Sequence, residues 1–167
     1  MKNPGDLRGA ETGLEQSESV QKRLYPTSTC FGCGPANPKG LQIRSFETST
    51  GVVAHFQPEP HHDNGMGTLN GGIIATLLDC HSGAAVFVRS SHVFAGAFKP
   101  WVTAGLEIRY RLPTYLDEVC ELSAAISEGE EDSMMVRAEL SSGGKIRVQA
   151  TSRWVRVSSP VKGSATP

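Results

Sequence analysis

The sequence predicts an α+β fold, in which one long buried helix packs against a curved antiparallel sheet of five to six strands. Three observations lead to this fold class. One apolar stretch has helical spacing, several segments alternate with a period of two, and Gly- or Pro-rich turns separate them. Two strands precede the helix and about four follow it.

The helix is predicted over residues 71–88, where apolar side chains recur at intervals of three and four. These side chains are Ile73, Ile74, Leu77, Leu78, Ala84, Ala85 and Val88. The stretch carries few charges and is apolar around most of its girth. We therefore expect the helix to lie in the interior of the protein.

The strands are predicted from alternation and from the turn residues that bound them. Two weak strands, at 41–46 and 52–56, form a hairpin before the helix. A loop or extra edge segment follows the helix at 90–100. Four further strands are predicted at 102–110, 119–127, 134–140 and 145–157.

The two ends of the chain differ in composition from its middle. Residues 1–25 are polar and lack a sustained period, so we expect a mobile N-terminal arm or a partly ordered lead-in. Residues 158–167 are rich in Ser, Pro and Gly, so we expect a flexible tail. Residues 26–157 remain as a single domain, a usual size for one core.

Composition excludes several classes of function. The 167-residue chain has a formal net charge of −1, so nucleic acid is not an expected partner. No run approaches the ~18 apolar residues of a membrane span, and no secretory signal is visible. We therefore expect a cytoplasmic protein whose four cysteines are free thiols. An apolar content of 38% is modest and favours burial through self-association.

Asp79 is the first candidate for a reacting group. A carboxylate in an apolar helix is costly to bury, so it needs a partner, a raised pKa or water at a cleft. The alternative is that the helix exposes one edge here, although Asp is seldom buried without a reason. Nearby small residues, including Thr76 and Ser82, leave room for a ligand.

Two glycines follow Asn70 at the predicted start of the helix. The N–H groups of a first helical turn lack partners, and glycine lets a ligand approach them closely. The helix dipole also favours developing negative charge there, so Gly71 and Gly72 suit an oxyanion hole. Asn70 is expected to cap the helix, but capping does not explain two glycines that weaken the first turn.

The segment Thr68-Leu69-Asn70-Gly71-Gly72-Ile73-Ile74-Ala75-Thr76-Leu77-Leu78-Asp79 resembles the signature of hot-dog-fold thioesterases of the phenylacetic-acid-pathway (PaaI-like) type. Their pattern is usually His-Gly-Gly followed, after several apolar residues, by a helical Asp. The loop Cys30-Phe31-Gly32-Cys33-Gly34, with Asn37-Pro38 and Gly40-Leu41, also resembles the opening of many members. The resemblance covers residues 30–157.

The resemblance implies a sheet wrapped around a central helix, acyl-CoA substrates, and no metal or cofactor beyond the coenzyme A of the substrate. It also implies homodimers that often pair into tetramers, with active sites at the dimer interface.

The resemblance also implies roles for individual residues. Asp79 matches the carboxylate that acts as general base or nucleophile, and Gly71 matches the N–H that polarises the thioester carbonyl. Asn64 matches a polar residue that positions water or substrate, and Thr103 matches a Ser or Thr that assists that water. Asn70 stands where many relatives have His; its amide can donate a hydrogen bond but cannot supply a proton.

Four further residues complete the predicted site. We place Gly72, His62, Thr76 and Ser82 among the substrate-binding residues.

Two other functions on the same fold were weighed against hydrolysis. Hydratases of this fold resemble one another in having a His about five residues after the helical Asp, where this chain has Ala84. A non-catalytic acyl-CoA binding or sensing protein is the alternative from a different class. Asp79 and Gly71 favour the enzyme, whereas Asn70 favours the binder.

Cys30 and Cys33 raise the question of a zinc site. A structural zinc needs four ligands, the chain has no second Cys pair, and His61 and His62 are adjacent rather than spaced as in zinc fingers. Cys80 is interpreted as a core residue, because its side chain points about 100° away from that of Asp79. The sequence therefore predicts no metal.

Overall fold

A computed structural model describes residues 17–97 and 99–158. Within these ranges the helices are α1 (Val20–Leu24) and α2 (Gly71–Val93), and a 3-10 turn spans Pro60–His62. The strands are β1 (Phe46–Thr48), β2 (Gly51–Phe56), β3 (Trp101–Tyr110), β4 (Cys120–Gly129), β5 (Ser133–Ser142) and β6 (Lys145–Arg156). All neighbouring strands pair antiparallel, in the order β1-β2-β4-β5-β6-β3. The predicted fold class is confirmed.

Helix α2 lies against the concave side of this sheet and forms the centre of the core. Leu77, Leu78 and Val86 have no more than a trace of exposed surface. The helix runs five residues beyond its predicted end, so the prediction of a loop from residue 90 was wrong for 90–93. The indole N–H of Trp101 donates to buried Ser90 Oγ at 3.0 Å, which explains why a polar residue continues the helix.

By length and composition alone, α2 also qualifies as a membrane span, although the sequence predicted none. Most of the helix is buried within this chain, and the core helix of a globular domain has the same composition. The core of the protein therefore accounts for its apolar character.

The first predicted strand, at 41–46, differs from the structure, because only its last residue enters β1. Instead, the N–H groups of Leu41 and Ile43 donate to the carbonyls of Phe31 and Gly32, and Ser45 is hydrogen-bonded to α1. The Ser45 N–H donates to Gln21 Oε1 at 2.8 Å, and the Val20 N–H donates to the Ser45 carbonyl at 2.8 Å. These bonds satisfy the backbone that a neighbouring strand would otherwise pair.

The same contacts order residues 19–25, which form a partly ordered lead-in rather than a mobile arm. Ser19 caps α1, and Val20 and Gln21 are each 1% exposed. A short helix in a polar segment gains its order from this burial rather than from helix propensity. Residues 1–16 of the predicted arm and 159–167 of the predicted tail lie outside the described residues.

A buried polar network joins α1 and α2 to the sheet through His81. His81 Nε2 lies 3.2 Å from the Val52 carbonyl, which can only accept, so Nε2 carries the proton. His81 Nδ1 then accepts from the Ser45 hydroxyl at 2.8 Å, and Ser45 Oγ accepts from Gln21 Nε2 at 3.0 Å. Burial lowers the pKa of His81 to about 4, so the imidazole is neutral and structural.

Candidate active site

Asp79 and Thr103 are brought together by α2 and β3. The Thr103 hydroxyl donates to Asp79 Oδ1 at 2.7 Å. The other carboxylate oxygen, Oδ2, has no partner among the described residues. Burial raises the pKa of Asp79 above its ordinary value, and the Thr103 hydrogen bond partly offsets that rise. The pair thus presents a half-buried carboxylate with one oxygen held and the other free.

A β-bulge helps to aim Thr103 at the helix. The pairing of β3 with β6 shifts by one residue between Thr103 and Gly105, which leaves Ala104 as the extra residue. Such bulges bend a strand and redirect its side chains, and they recur beside active sites. The sequence placed Thr103 on a strand but gave no signal for this irregularity.

The N-terminus of α2 has one N–H that the cap leaves free. Asn70 Oδ1 accepts from the N–H of Gly72 at 2.8 Å and from that of Ile73 at 3.4 Å. The Gly71 N–H has no acceptor within the described part of the chain. The Asn70 Nδ2 amide likewise lacks an acceptor there, so it remains available as a second donor. Asn70 Oδ1 therefore caps the helix, whereas the Gly71 N–H and Asn70 Nδ2 are the donors without an acceptor among the described residues.

Asn64 orders the loop that leads to this helix. Its Oδ1 accepts from the Met66 N–H and its Nδ2 donates to Thr68 Oγ1, both at 2.8 Å. Gly65 and Gly67 adopt positive φ values of 87° and 79° around Met66, a conformation that glycine tolerates. Within this chain Asn64 holds a loop, and its predicted contact with water or substrate stays a prediction.

The predicted substrate-binding residues fall into two groups. Gly72 is exposed and Thr76, whose hydroxyl donates to the Gly72 carbonyl at 2.9 Å, is half-buried on the surface between Gly71 and Asp79. Ser82 has no exposed surface and therefore cannot contact a substrate, contrary to the prediction. One further turn of the helix carries its side chain from the open strip into the core.

His62 has a mainly structural environment. Its Nδ1 accepts from the Glu59 N–H at 2.9 Å, and its carbonyl accepts from the Asn70 N–H at 2.9 Å. The ring is buried 5.4 Å from that of Phe56, measured between centroids. His62 thus fixes the approach to the helix, and its predicted contact with substrate stays a prediction.

Tyr110 belongs to this site although sequence reasoning saw only an alternating strand residue. Its hydroxyl donates to the Gly71 carbonyl at 2.7 Å, which joins the end of β3 to the first turn of α2. The ring is 53% exposed beside the glycine. Only the antiparallel return of β3 along α2 places it there, and no local pattern signals that.

Gly71 and Asp79 do not meet within one chain. Eight residues of helix separate them, which corresponds to about 12 Å along the axis. Suppose that a thioester carbonyl accepts a hydrogen bond from the Gly71 N–H. A water bound to Asp79 of the same chain is then too far away to attack that carbonyl. The free N–H and the carboxylate therefore lie at opposite ends of one strip of the helix.

A wide groove of the described chain lies away from these groups. It has a volume of about 1840 Å³ and is lined by α1, residues 38–44 and the turn at His61 and His62, without Asp79, Thr103 or Gly71. The groove is wide and open, so its size reflects the surface between α1 and the loops. We therefore place the candidate active site at Asp79 and the Gly71 N–H rather than in this groove.

Three cysteines, one of which follows Asp79 in the chain, form a cluster of side chains of a type that can bind a metal. The sulfur atoms of Cys30, Cys33 and Cys80 all lie within 4.8 Å of one another. The sequence prediction of no metal considered only Cys30 and Cys33 as a pair of ligands. The third thiol comes from α2, and its position became visible only once the loop was placed against the helix.

Comparison with known proteins agrees with the fold and the motif. The family model described as the thioesterase superfamily matches residues 66–148, a range that contains Gly71, Asp79 and Thr103. No curated protein matches the chain.

Several solved structures share the fold. A thioesterase superfamily protein from Shewanella loihica is 27% identical, with a TM-score of 0.58 over 74% of this chain and 97% of its own. PaaI from E. coli is 14% identical, with a TM-score of 0.63 over 90% and 92%. A hypothetical thioesterase from Streptococcus pneumoniae, solved with coenzyme A, is 19% identical, with a TM-score of 0.58 over 69% and 88%. The predicted hot-dog fold is confirmed, and the resemblance to PaaI holds at the level of the fold.

Proposed function

This chain belongs to the thioesterase superfamily, and from that premise we propose that it hydrolyses an acyl-CoA thioester to the free acid and coenzyme A. The observation that carries the proposal is Asp79, a half-buried carboxylate held by Thr103 and free at its second oxygen. Coenzyme A bound to the similar fold of the Streptococcus pneumoniae protein supports this thiol carrier.

Asp79 performs the first step as general base or as nucleophile. As a base, its free Oδ2 takes a proton from a water that attacks the thioester carbonyl. As a nucleophile, the same oxygen attacks the carbonyl directly and expels the coenzyme A thiolate as the C–S bond breaks, which gives an anhydride that water then cleaves. Because burial raises the pKa of Asp79, its carboxylate is a stronger base than a solvated one.

The free N–H of Gly71 stabilises the oxyanion that forms on the carbonyl. It is fixed in the backbone and supported by the positive end of the helix dipole, so it needs no reorganisation during the reaction. The Asn70 Nδ2 amide adds a second donor where many relatives have His. The coenzyme A thiolate departs without a proton from Asn70, because a thiolate is a good leaving group at neutral pH.

The separation of Gly71 and Asp79 supports a site that is shared with a second copy of the chain. In a two-fold symmetric dimer each copy offers the same surface, so Gly71 of one protomer can lie opposite Asp79 of its partner. Among the described strands, β3 lies at the edge of the sheet and has an unpaired side. Leu106 and Tyr110 of this strand expose apolar surface, as does Met66 in the loop before α2. A homodimer, assembling to a tetramer in the cytoplasm, is the state we propose.

The experiment that tests the activity is thiol release from a panel of acyl-CoAs of different chain length and aromatic character. We expect sustained turnover with at least one member. Tight binding of coenzyme A or acyl-CoA without thiol release from any member would favour the alternative, a non-catalytic acyl-CoA binding or sensing protein. Asn70 is the residue that keeps this alternative open, since it removes an acid found in many relatives.

Replacing Thr103 with Val should move the acidic limb of the kcat/KM profile to higher pH. The lost hydroxyl lowers the pKa of Asp79 in the wild-type protein, so its removal raises that pKa further. The carboxylate then becomes protonated, and inactive as a base, at a higher pH than before. The measurement is kcat/KM for the best acyl-CoA across the acid range.

Thr103→Ser is the matched control, because it keeps the hydroxyl and should keep the wild-type profile. A Thr103→Val profile that superimposes on the wild type would contradict the role given to this hydrogen bond.

A further inference from the structure

The cysteine cluster lies outside the reaction proposed above and has its own geometry. Cys30 and Cys33 belong to the loop that precedes the sheet, and Cys80 belongs to α2. Cys30 Sγ and Cys80 Sγ are 3.7 Å apart, and each of the three sulfurs lies within 4.8 Å of the others. All three are free thiols.

Two glycines make this approach possible. A Cβ on Gly32 would lie 2.4 Å from Cys80 Sγ and 2.8 Å from Thr76 Cγ2, so a larger residue would push the loop away from the helix. A Cβ on Gly34 would lie 2.4 Å from the Cys30 backbone nitrogen. The Gly34 N–H donates to the Cys30 carbonyl at 2.9 Å, which closes the turn between the two loop cysteines. The close approach of the loop backbone to α2 therefore brings the three thiols together.

The sulfur spacing matches that of a zinc–thiolate centre. Zinc–sulfur bonds of about 2.3 Å in a tetrahedron place neighbouring sulfurs about 3.8 Å apart. The Cys30–Cys80 separation of 3.7 Å is close to this edge. It is well beyond the roughly 2.05 Å of a disulfide, so the thiols are poised around a common point rather than bonded.

Polar groups lie near the sulfurs, as they do in metal centres. The backbone N–H groups of Gly32 and Cys33 are near the Cys30 sulfur, and the buried Tyr25 hydroxyl is near the Cys33 sulfur. Such donors orient thiolate ligands and offset their negative charge. No further His, Cys, Asp or Glu of the described residues joins the cluster, so a fourth position is left for water.

We propose that Cys30, Cys33 and Cys80 bind one zinc ion, with water as the fourth ligand. Binding converts the three thiols to thiolates and releases their protons to solvent, with no change in oxidation state. The ion joins the loop at residues 30–33 to α2 one residue beyond Asp79. The ion holds that loop against the helix, and the proposal does not rest on the hydrolysis proposed above.

The test uses the full chain, reduced and freed of metal, and titrates it with cobalt(II) as a spectroscopic substitute for zinc. We expect near-ultraviolet sulfur-to-cobalt charge-transfer bands with the stoichiometry of one ion per chain, and loss of these bands when zinc is added. Zinc at a hundredfold excess over its Kd should raise the Tm by roughly 5–10 °C. Both effects are read without any enzymatic assay.

The variants separate the cluster from other thiols. Cys30→Ser, at the exposed member, should abolish the bands and the Tm rise while the metal-free protein keeps its circular dichroism spectrum. Cys120→Ser is the matched control, because Cys120 is free and buried in β4, outside the cluster. It should bind cobalt like the wild type. Bands that persist in Cys30→Ser, or a reduced wild type that takes up neither ion, would overturn the proposal.

Discussion

The Asp79→Asn variant should lose about 10²–10⁴-fold in kcat/KM for the acyl-CoA that the wild type hydrolyses best. Asparagine has nearly the same shape and can still accept the Thr103 hydrogen bond, so the fold should be preserved. It cannot take a proton from water and cannot form an anhydride. The measurement is thiol release under identical conditions, with the Kd for coenzyme A determined in parallel.

Asp117→Asn is the control for a change of charge, because Asp117 is an exposed carboxylate in the loop between β3 and β4. It should keep wild-type kcat/KM. Unchanged turnover in Asp79→Asn would exclude the proposed mechanism, whereas lost turnover with an unchanged Kd would assign Asp79 to the chemical step rather than to binding.

The Gly71→Pro variant should lose about 10²–10³-fold in kcat/KM, since it removes one oxyanion donor. Proline is well tolerated at the first position of a helix, where no intrahelical bond is lost. Asn70 has a ψ of 131°, within the extended range that a residue before proline adopts. The substitution therefore deletes the N–H with little change in stability, which thermal unfolding would check.

Gly71→Ala is the matched control, because it adds a Cβ but keeps the N–H. That Cβ would lie 3.5 Å from the Tyr110 hydroxyl, an ordinary contact. Its kcat/KM should fall far less than that of Gly71→Pro. Equal losses in the two variants would show that space at this position matters and the donor does not.

The two inactive variants together test whether the site is shared between copies. If Gly71 of one protomer serves Asp79 of its partner, a dimer of Asp79→Asn with Gly71→Pro has one fully intact site. Equal mixing after dissociation should then restore about a quarter of wild-type activity. Activity that stays at the level of the separate variants would place both groups in one chain or in no common site.

Residues with a strong local pattern could be predicted from the sequence. The spacing of Leu77 and Leu78 within an apolar run predicted α2, and the two glycines after Asn70 predicted its start. Asp79 stood out because a charge in such a run is costly. These signals are local, so one sequence was enough to detect them.

Features that depend on distant contacts could not be predicted. Gln21 is ordered by Ser45, Tyr110 reaches Gly71 across the sheet, and Cys80 meets Cys30 through a loop 50 residues away in the chain. Ser82 was misassigned because its small side chain suits a pocket and a core equally well. In each case the deciding neighbour is set by tertiary packing rather than by propensity.

The division of α2 into an open first part and a closed second part has a consequence for how this protein can be altered. Between Gly71 and Asp79 several side chains are partly exposed, whereas every residue from Cys80 to Val86 is buried. Substrate preference can therefore drift through changes at positions such as Ile73, Ala75 and Thr76 at small cost to folding. A library for directed evolution should randomise this first part and leave the second part intact.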